Sequence, residues 1–226
     1  MEYPKDYINK VICGDCLEVM KGIPDKSIDL VLTDPPYGMD YVSSRRKHKF
    51  EKIALDNNVD WFEEFIVQAY RVLKDDRHVY IFCNDYAISD FRTLMDKVGF
   101  TPKRTLVWVK NNHTSGDLEG DYGNKTEFLL YAQKGRRELL GKRDTNVLNF
   151  GRVSTLTHPT EKPVDLCRYL INKSSDKGQT ILDPFNGSGT TCRAAIDLQR
   201  NFIGIEISPG YCKLAEDRLK QGVLNF

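Results

Sequence analysis

The stretch Thr180-Ile181-Leu182-Asp183-Pro184-Phe185-Asn186-Gly187-Ser188-Gly189-Thr190-Thr191 decides the fold. Residues 180–182 read as a short buried strand, and residues 190–198 carry helical spacing, so the glycines fall in a strand-to-helix turn. Gly187 and Gly189 let backbone approach a ligand with no Cβ in the way, and the N–H groups of the helix's first turn would face an anion there. The stretch contains neither G-x-x-x-x-G-K-[ST] nor G-x-G-x-x-G, which argues against a P-loop site and against a dinucleotide site. The next strand, residues 202–205, runs into Glu206. An acidic residue at that tip is placed to accept hydrogen bonds from ribose hydroxyls. Together the two features point to a nucleoside-bearing ligand without a polyphosphate.

Outward from this turn, strands and helices alternate, the signature of a mostly parallel sheet covered on both faces. Strands are expected at residues 28–32, 79–83, 105–109, 127–132, 180–182 and 202–205. Helices are expected at residues 61–73, 86–98, 164–171, 190–198 and 211–219, the last with Tyr211, Leu214, Ala215 and Arg218 on one face. Three polar, basic or glycine-bearing stretches, residues 38–58, 111–125 and 134–157, are not scaffold-like, and long loops in a compact domain are usually functional.

Composition narrows the classes. The chain has 226 residues, enough for one domain over 1–226 with a loop excursion. Its 33 Lys+Arg and 32 Asp+Glu leave a formal charge of +1, which argues against a disordered tail and against bulk-charge binding of nucleic acid. No apolar run approaches the roughly 18 residues of a membrane helix. The start, Met1-Glu2-Tyr3-Pro4-Lys5-Asp6, lacks a signal-peptide pattern, so a cytoplasmic protein without membrane contact is expected. Of six cysteines, only Cys13 and Cys16 form a C-x-x-C pair, and the four histidines are scattered. Buried reduced thiols are expected, and no metal site.

A second loop carries chemistry. Asp34-Pro35-Pro36-Tyr37-Gly38 directly follows the apolar strand at 28–32. Two prolines fix φ and remove donors, leaving a rigid group of acceptors, the Asp34 side chain and the Pro35 carbonyl, with an aromatic ring two residues on. That suits an amino group on a flat ring, gripped by acceptors and stacked on Tyr37.

These residues resemble the amino-group DNA methyltransferases that use S-adenosylmethionine. In that family the D-P-P-Y loop holds the target amine and the F-x-G-x-G turn holds the cofactor. Here the Asp34 loop precedes the glycine turn, the order of the permuted beta class. His158-Pro159-Thr160-Glu161-Lys162-Pro163 resembles the segment leading into the family's cofactor helix. Gly14-Asp15-Cys16-Leu17-Glu18-Val19-Met20 resembles the stretch whose Asp meets adenine. The resemblance implies a three-layer Rossmann-like methyltransferase fold with a seven-stranded mostly parallel sheet and the 127–132 strand antiparallel at or near one edge. It implies S-adenosyl-L-methionine as cofactor. Asp15, Asp34, Thr160, Lys162, Asp183, Phe185, Gly187, Ser188, Gly189, Thr190 and Glu206 would bind it, with Thr160, Lys162 and the turn near the methionine carboxylate. The catalytic loop would be Asp34, Pro35, Pro36 and Tyr37.

The implied reaction is methyl transfer to the N6 amine of adenine in a specific DNA site, the base being flipped out of the duplex. N4 of cytosine is the rival target, and a catalytically silent DNA binder the rival class. With little net charge, phosphate contacts must be local. Arg45, Arg46, Lys47 and Lys49 are the natural clamp, and Arg136, Arg137, Lys142 and Arg143 a second patch within the short target-recognition stretch 134–157. Double-stranded DNA is the expected partner, with a homodimer and a cognate restriction endonuclease as further partners of related enzymes.

Overall fold

The computed structural model describes residues 1–36, 60–113, 119–120, 122–153 and 161–220. In chain order its elements are β1 (Lys10–Cys13), α1 (Cys16–Lys21), β2 (Ile28–Thr33), α2 (Asp60–Val72), β3 (Leu73–Cys83), α3 (Ile88–Val98), β4 (Thr101–Pro102), β5 (Leu106–Val109), β6 (Thr126–Lys134), β7 (Val147–Asn149), α4 (Val164–Ser174), β8 (Thr180–Asp183), α5 (Thr190–Asp197), β9 (Asn201–Glu206) and α6 (Pro209–Lys220). The strands form one sheet in the order β1-β9-β8-β2-β3-β6-β5-β7, with β4 pairing alongside β6. Among the described residues it has nine strands, not the seven expected. The two-residue β4 and the three-residue β7 are too short to leave a sequence period.

Only β6 of the main path runs against the rest. It pairs antiparallel with β3, Cys83 opposite Phe128 and Arg77 opposite Lys134, and antiparallel with β5. The strand at 127–132 is therefore antiparallel, as the resemblance implies, and it lies near one edge, with β5 and β7 beyond it.

Alternation along the central strands divides their side chains between two apolar layers. Val31, Val79 and Ile81 face α1, α2 and α3, where Met20, Phe62, Phe65, Ile66 and Met95 complete the layer. Leu30, Leu32, Tyr80 and Phe82 face α4 and α5, meeting Leu166, Leu170, Ile171 and Ala195. All six residues of β2 are buried, as a strand covered on both faces requires. No helix of the described residues is long and apolar enough to cross a membrane. All six cysteines are free and five are buried, where burial pushes the thiols of Cys16, Cys83 and Cys167 up to about 12.

Candidate active site

The parallel strands end along one edge of the sheet, where loops rather than ladders satisfy the backbone. Across six neighbouring strands an acidic residue stands at or just past that edge: Asp15 after β1, Glu206 ending β9, Asp183 ending β8, Asp34 after β2, Asp85 after β3, and Glu127 near the start of β6. Glu127 belongs because β6 is antiparallel, so its first residues lie where the others finish. So many carboxylates side by side require cations and backbone donors, and Asp15, Glu206, Asp183, Asp34 and Glu127 have each recruited some.

Glu206 accepts from two backbone amides, Gly187 N–H at 2.8 Å and Ser208 N–H at 2.9 Å. It therefore pins the glycine turn to the tip of β9. Gly187 N–H is thus occupied, and Gly189 N–H donates to the Asn186 carbonyl at 2.8 Å. The turn is closed on itself rather than open as a phosphate cradle. Gly189 has φ +82, in the left-handed region, and a Cβ there would stand 3.0 Å from Ala215 Cβ of α6, so both backbone and packing call for glycine. Asp15 caps α1, its Oδ1 accepting from Leu17 N–H at 2.9 Å and Glu18 N–H at 3.2 Å.

Phe185 turns inward, edge-on to Trp61 and Phe65 of α2 with ring centroids 5.5 Å and 5.1 Å away. Asp183 is buried, accepts from Thr33 Oγ1 at 2.7 Å and from Phe185 N–H at 3.2 Å, and burial pushes its carboxyl up to about 6. The Thr33–Asp183 bond matters for the site's assembly. Thr33 immediately precedes Asp34, so this contact holds the proline loop beside the glycine turn although the two are far apart in the chain.

Lys162 is placed differently from its sequence expectation. Its buried ammonium lies 2.7 Å from Asp34 Oδ2 and 2.9 Å from Glu127 Oε2, so it belongs to the proline loop and not to the turn. The cation at the turn is Arg218 of α6, which donates to Ser188 Oγ at 3.2 Å and Thr190 Oγ1 at 2.9 Å and pairs with Glu161. The sequence by itself gives no site role to Arg218, Glu127, Lys110 or Thr33. Two had a usable signal: an arginine on the apolar stripe of the last helix, and a glutamate opening an antiparallel strand.

The second basic patch does not flank the active loop. Arg136, Arg137, Lys142 and Arg143 follow the carboxyl end of β6, which lies at the opposite edge of the sheet from Asp34 because β6 is antiparallel. Arg137 is spent on Asp176 at 2.9 Å, and Arg136 N–H donates to Asp76 at 2.8 Å. These residues are not beside the proline loop. Tyr37, the cluster Arg45, Arg46, Lys47 and Lys49, and Thr160 with its neighbour His158 lie outside the described residues.

DNA adenine methyltransferase YhdJ of Escherichia coli (strain K12) is 33% identical over 244 residues, covering 92% of this chain and 82% of that protein. The crystal structure of the M1.HpyAVI-SAM complex superposes with a TM-score of 0.74 at 27% identity, covering 93% of this chain and 99% of that one. The cytosine-N4-specific PvuII DNA methyltransferase shares the fold, with a TM-score of 0.76 at 21% identity over 97% of this chain and 91% of that one. A family model described as DNA methylase matches residues 28–217. The chain belongs to the DNA methylase family.

Proposed function

We propose that this chain transfers a methyl group from S-adenosyl-L-methionine to the N6 amine of adenine in a specific site of double-stranded DNA. The observation that carries the reading is the 2.7 Å bond from Thr33 to Asp183, which sets an acceptor-rich loop beside a nucleoside-type turn. YhdJ, similar over most of its length, is named as an adenine enzyme, and M1.HpyAVI was crystallised with SAM. Asp ahead of Pro-Pro-Tyr supports adenine over cytosine.

The residues present fit the cofactor. Glu206, at the tip of β9 with each oxygen oriented by an amide, would accept from the ribose hydroxyls, and Asp15 Oδ2 would be the oxygen left to meet an adenine amine once Oδ1 has capped α1. The closed turn, with Ser188 and Thr190 held by Arg218, suits a ligand that brings no polyphosphate. Phe185, packed against α2, fixes the turn. The cofactor supplies an electrophilic methyl on a sulfonium.

What the chain must supply is a better nucleophile. An exocyclic amine's lone pair is delocalised into its ring, so it attacks weakly. Asp34 and the Pro35 carbonyl, each accepting one N–H, favour a tetrahedral nitrogen and stabilise the positive charge that grows on it. Pro36 stiffens the loop, and Tyr37 offers a stacking face to the flipped base. In-line placement of nitrogen and methyl supplies much of the remaining rate. The methylated nitrogen then loses a proton to water. Arg45, Arg46, Lys47 and Lys49, close behind Tyr37 in sequence, are the phosphate contacts in this reading.

The test is incubation with unmethylated duplex DNA and methyl-labelled S-adenosylmethionine, followed by digestion to nucleosides. Label on N6-methyladenine, lost in Asp34→Ala, is the expected result. Label on N4-methylcytosine would keep the mechanism and replace the base. Cofactor binding with no label in any nucleoside would leave a silent DNA binder.

A further inference from the structure

Four charged side chains from four segments form a line that ends on Asp34. Lys110 Nζ lies 2.7 Å from Glu127 Oε1, Lys162 Nζ lies 2.9 Å from Glu127 Oε2, and the same Lys162 Nζ lies 2.7 Å from Asp34 Oδ2. The signs alternate, so the line is neutral. Both lysines are buried. Lys110 Nζ sits 5.2 Å from the centroid of the Trp108 ring, and Lys162 Nζ 4.9 Å from that of Phe82. Buried ion pairs are weak stabilisers, and well-packed apolar residues of similar volume commonly do as well or better. Stability alone therefore gives a poor account of two lysines walled by aromatic rings.

We infer that Glu127 is a positioning residue for the methyl transfer, acting on Asp34 through Lys162, with Lys110 as its outer counter-ion. This rests on the reading of Asp34 as an acceptor for the target amine. Asp34 serves that role only if it is ionised and if its carboxylate plane is set before the base arrives. Lys162 does both by holding one oxygen. A lysine on a four-carbon stem is a mobile point charge, however, and Asp34 alone leaves it free to swing. Glu127 supplies the second anchor, from the only strand of the main path whose first residues reach this edge. Lys110 neutralises Glu127, so that a second carboxylate near the amine does not repel Asp34.

The pH behaviour follows from the same contacts. Burial alone would lower the Lys162 ammonium, but Asp34 and Glu127 more than reverse this and hold it above the ordinary lysine range. Burial alone would raise Glu127, and Lys162 with Lys110 holds it below the ordinary glutamate range. Cys83 of β3, Cys167 of α4 and Asp183 of β8 also feel the Asp34 charge, and Cys83 feels Asp85 and Glu127. The two thiols stay neutral until about pH 12, and Asp183 is ionised above about 6, so none of them titrates between pH 7 and 10. Removing the Glu127 charge takes one of two carboxylates from a buried ammonium. Lys162 then gives up its proton at lower pH, and Asp34 loses its anchor there.

The experiment compares wild type, Glu127→Gln and Glu127→Asp by steady-state methylation of duplex DNA from pH 6 to 10, with cofactor affinity measured separately. The expected result is a kcat lowered roughly 10- to 100-fold in Glu127→Gln, as for a misplaced catalytic group, with KM for DNA and cofactor affinity within about twofold. An alkaline limb absent from wild type enters the accessible range, and Glu127→Asp, which restores the charge, regains part of both. A Glu127→Gln enzyme with wild-type kcat and no new limb overturns the inference while leaving the methyltransferase reading standing. Wild-type protein that labels no DNA overturns both. If Glu127→Gln does not fold, Glu127→Asp decides: lowered kcat at unchanged cofactor affinity supports the inference, and wild-type kcat overturns it.

Discussion

Asp183→Asn should make the protein more stable above neutral pH while having little effect in acid. Asp183 ends β8 at the centre of the site edge, buried, with Thr33 Oγ1, the Thr191 hydroxyl and Phe185 N–H as donors. Burial outweighs those donors, and its carboxyl titrates at about 6 instead of the ordinary 3.8. A raised folded value means that the folded chain holds a proton which the unfolded chain has already released. Stability from this residue is therefore complete below about pH 3.8 and is lost as pH climbs through 6. By linkage the loss is about 3 kcal/mol at neutral pH.

Asparagine keeps the size and the accepting oxygen, and its NH2 can donate to the Thr191 hydroxyl, so any packing offset is the same at every pH. Urea unfolding of wild type and variant at half-unit steps from pH 4 to 8 isolates the residue. The difference in stability should grow in the variant's favour by about 3 kcal/mol across that range and then level off. His78 makes the wild-type curve deceptive. Buried between Ser174 Oγ at 2.8 Å and the Arg137 carbonyl at 3.1 Å, it is pushed down to about 4, so its stability is lost as pH falls from 6.5 towards 4. The two windows overlap with opposite sign, and wild type should look flat where the variant slopes. A difference curve level from pH 4 to 8 would refute the argument, and one of opposite slope would mean that Asp183 is stabilised as an anion.

Three further outcomes are expected. In Gly204→Ala the new Cβ would stand 2.8 Å from Asn186 Cγ and from Cys192 Sγ, so thermal unfolding should show a loss of about 1–3 kcal/mol, and cofactor affinity should fall as Asn186 is displaced. Asp15→Ala should lose both the α1 cap, about 1 kcal/mol, and cofactor affinity, whereas Asp15→Ser should keep the wild-type melting temperature and lose affinity alone; a serine variant that binds cofactor normally would remove Asp15 from the adenine site. Arg136→Ala combined with Arg143→Ala should leave DNA affinity and its salt dependence unchanged, since both stand at the far edge of the sheet; a salt slope reduced by about two would restore them as phosphate contacts.

Much of this was legible because it is local. Asp34-Pro35-Pro36 and Asp183-Pro184-Phe185-Asn186-Gly187-Ser188-Gly189 are each a strand end, a rigid or glycine-bearing bend and a start, and bends of that kind are encoded by the few residues that make them. The run of buried strands was likewise visible, since β2, β8 and β9 are apolar through their centres. The resemblance gave the direction of β6, and the apolar run at 105–109 gave β5 as a strand, but nothing in the sequence showed that β5 and β7 lie beyond β6, since pairing partners leave no mark in a strand's own period.

What only the tertiary structure decided concerns charge. Lysines and arginines carry their heads several bonds from the backbone, so their partners are set by whichever elements pack nearby and not by the motif that contains them. Lys162 sits in a segment that leads towards the glycine turn, yet it pairs with Asp34 and Glu127. Arg218, on the last helix, takes the place at the turn. The basic residues after β6 read as neighbours of the active loop, but one reversed strand carries them to the other edge. The sequence by itself therefore determined the bends, the alternation and the chemistry of the two loops, all of which depend on adjacent residues. The fold alone determined which charge meets which, because electrostatic partners are chosen by distance in space, and sheet order sets that distance.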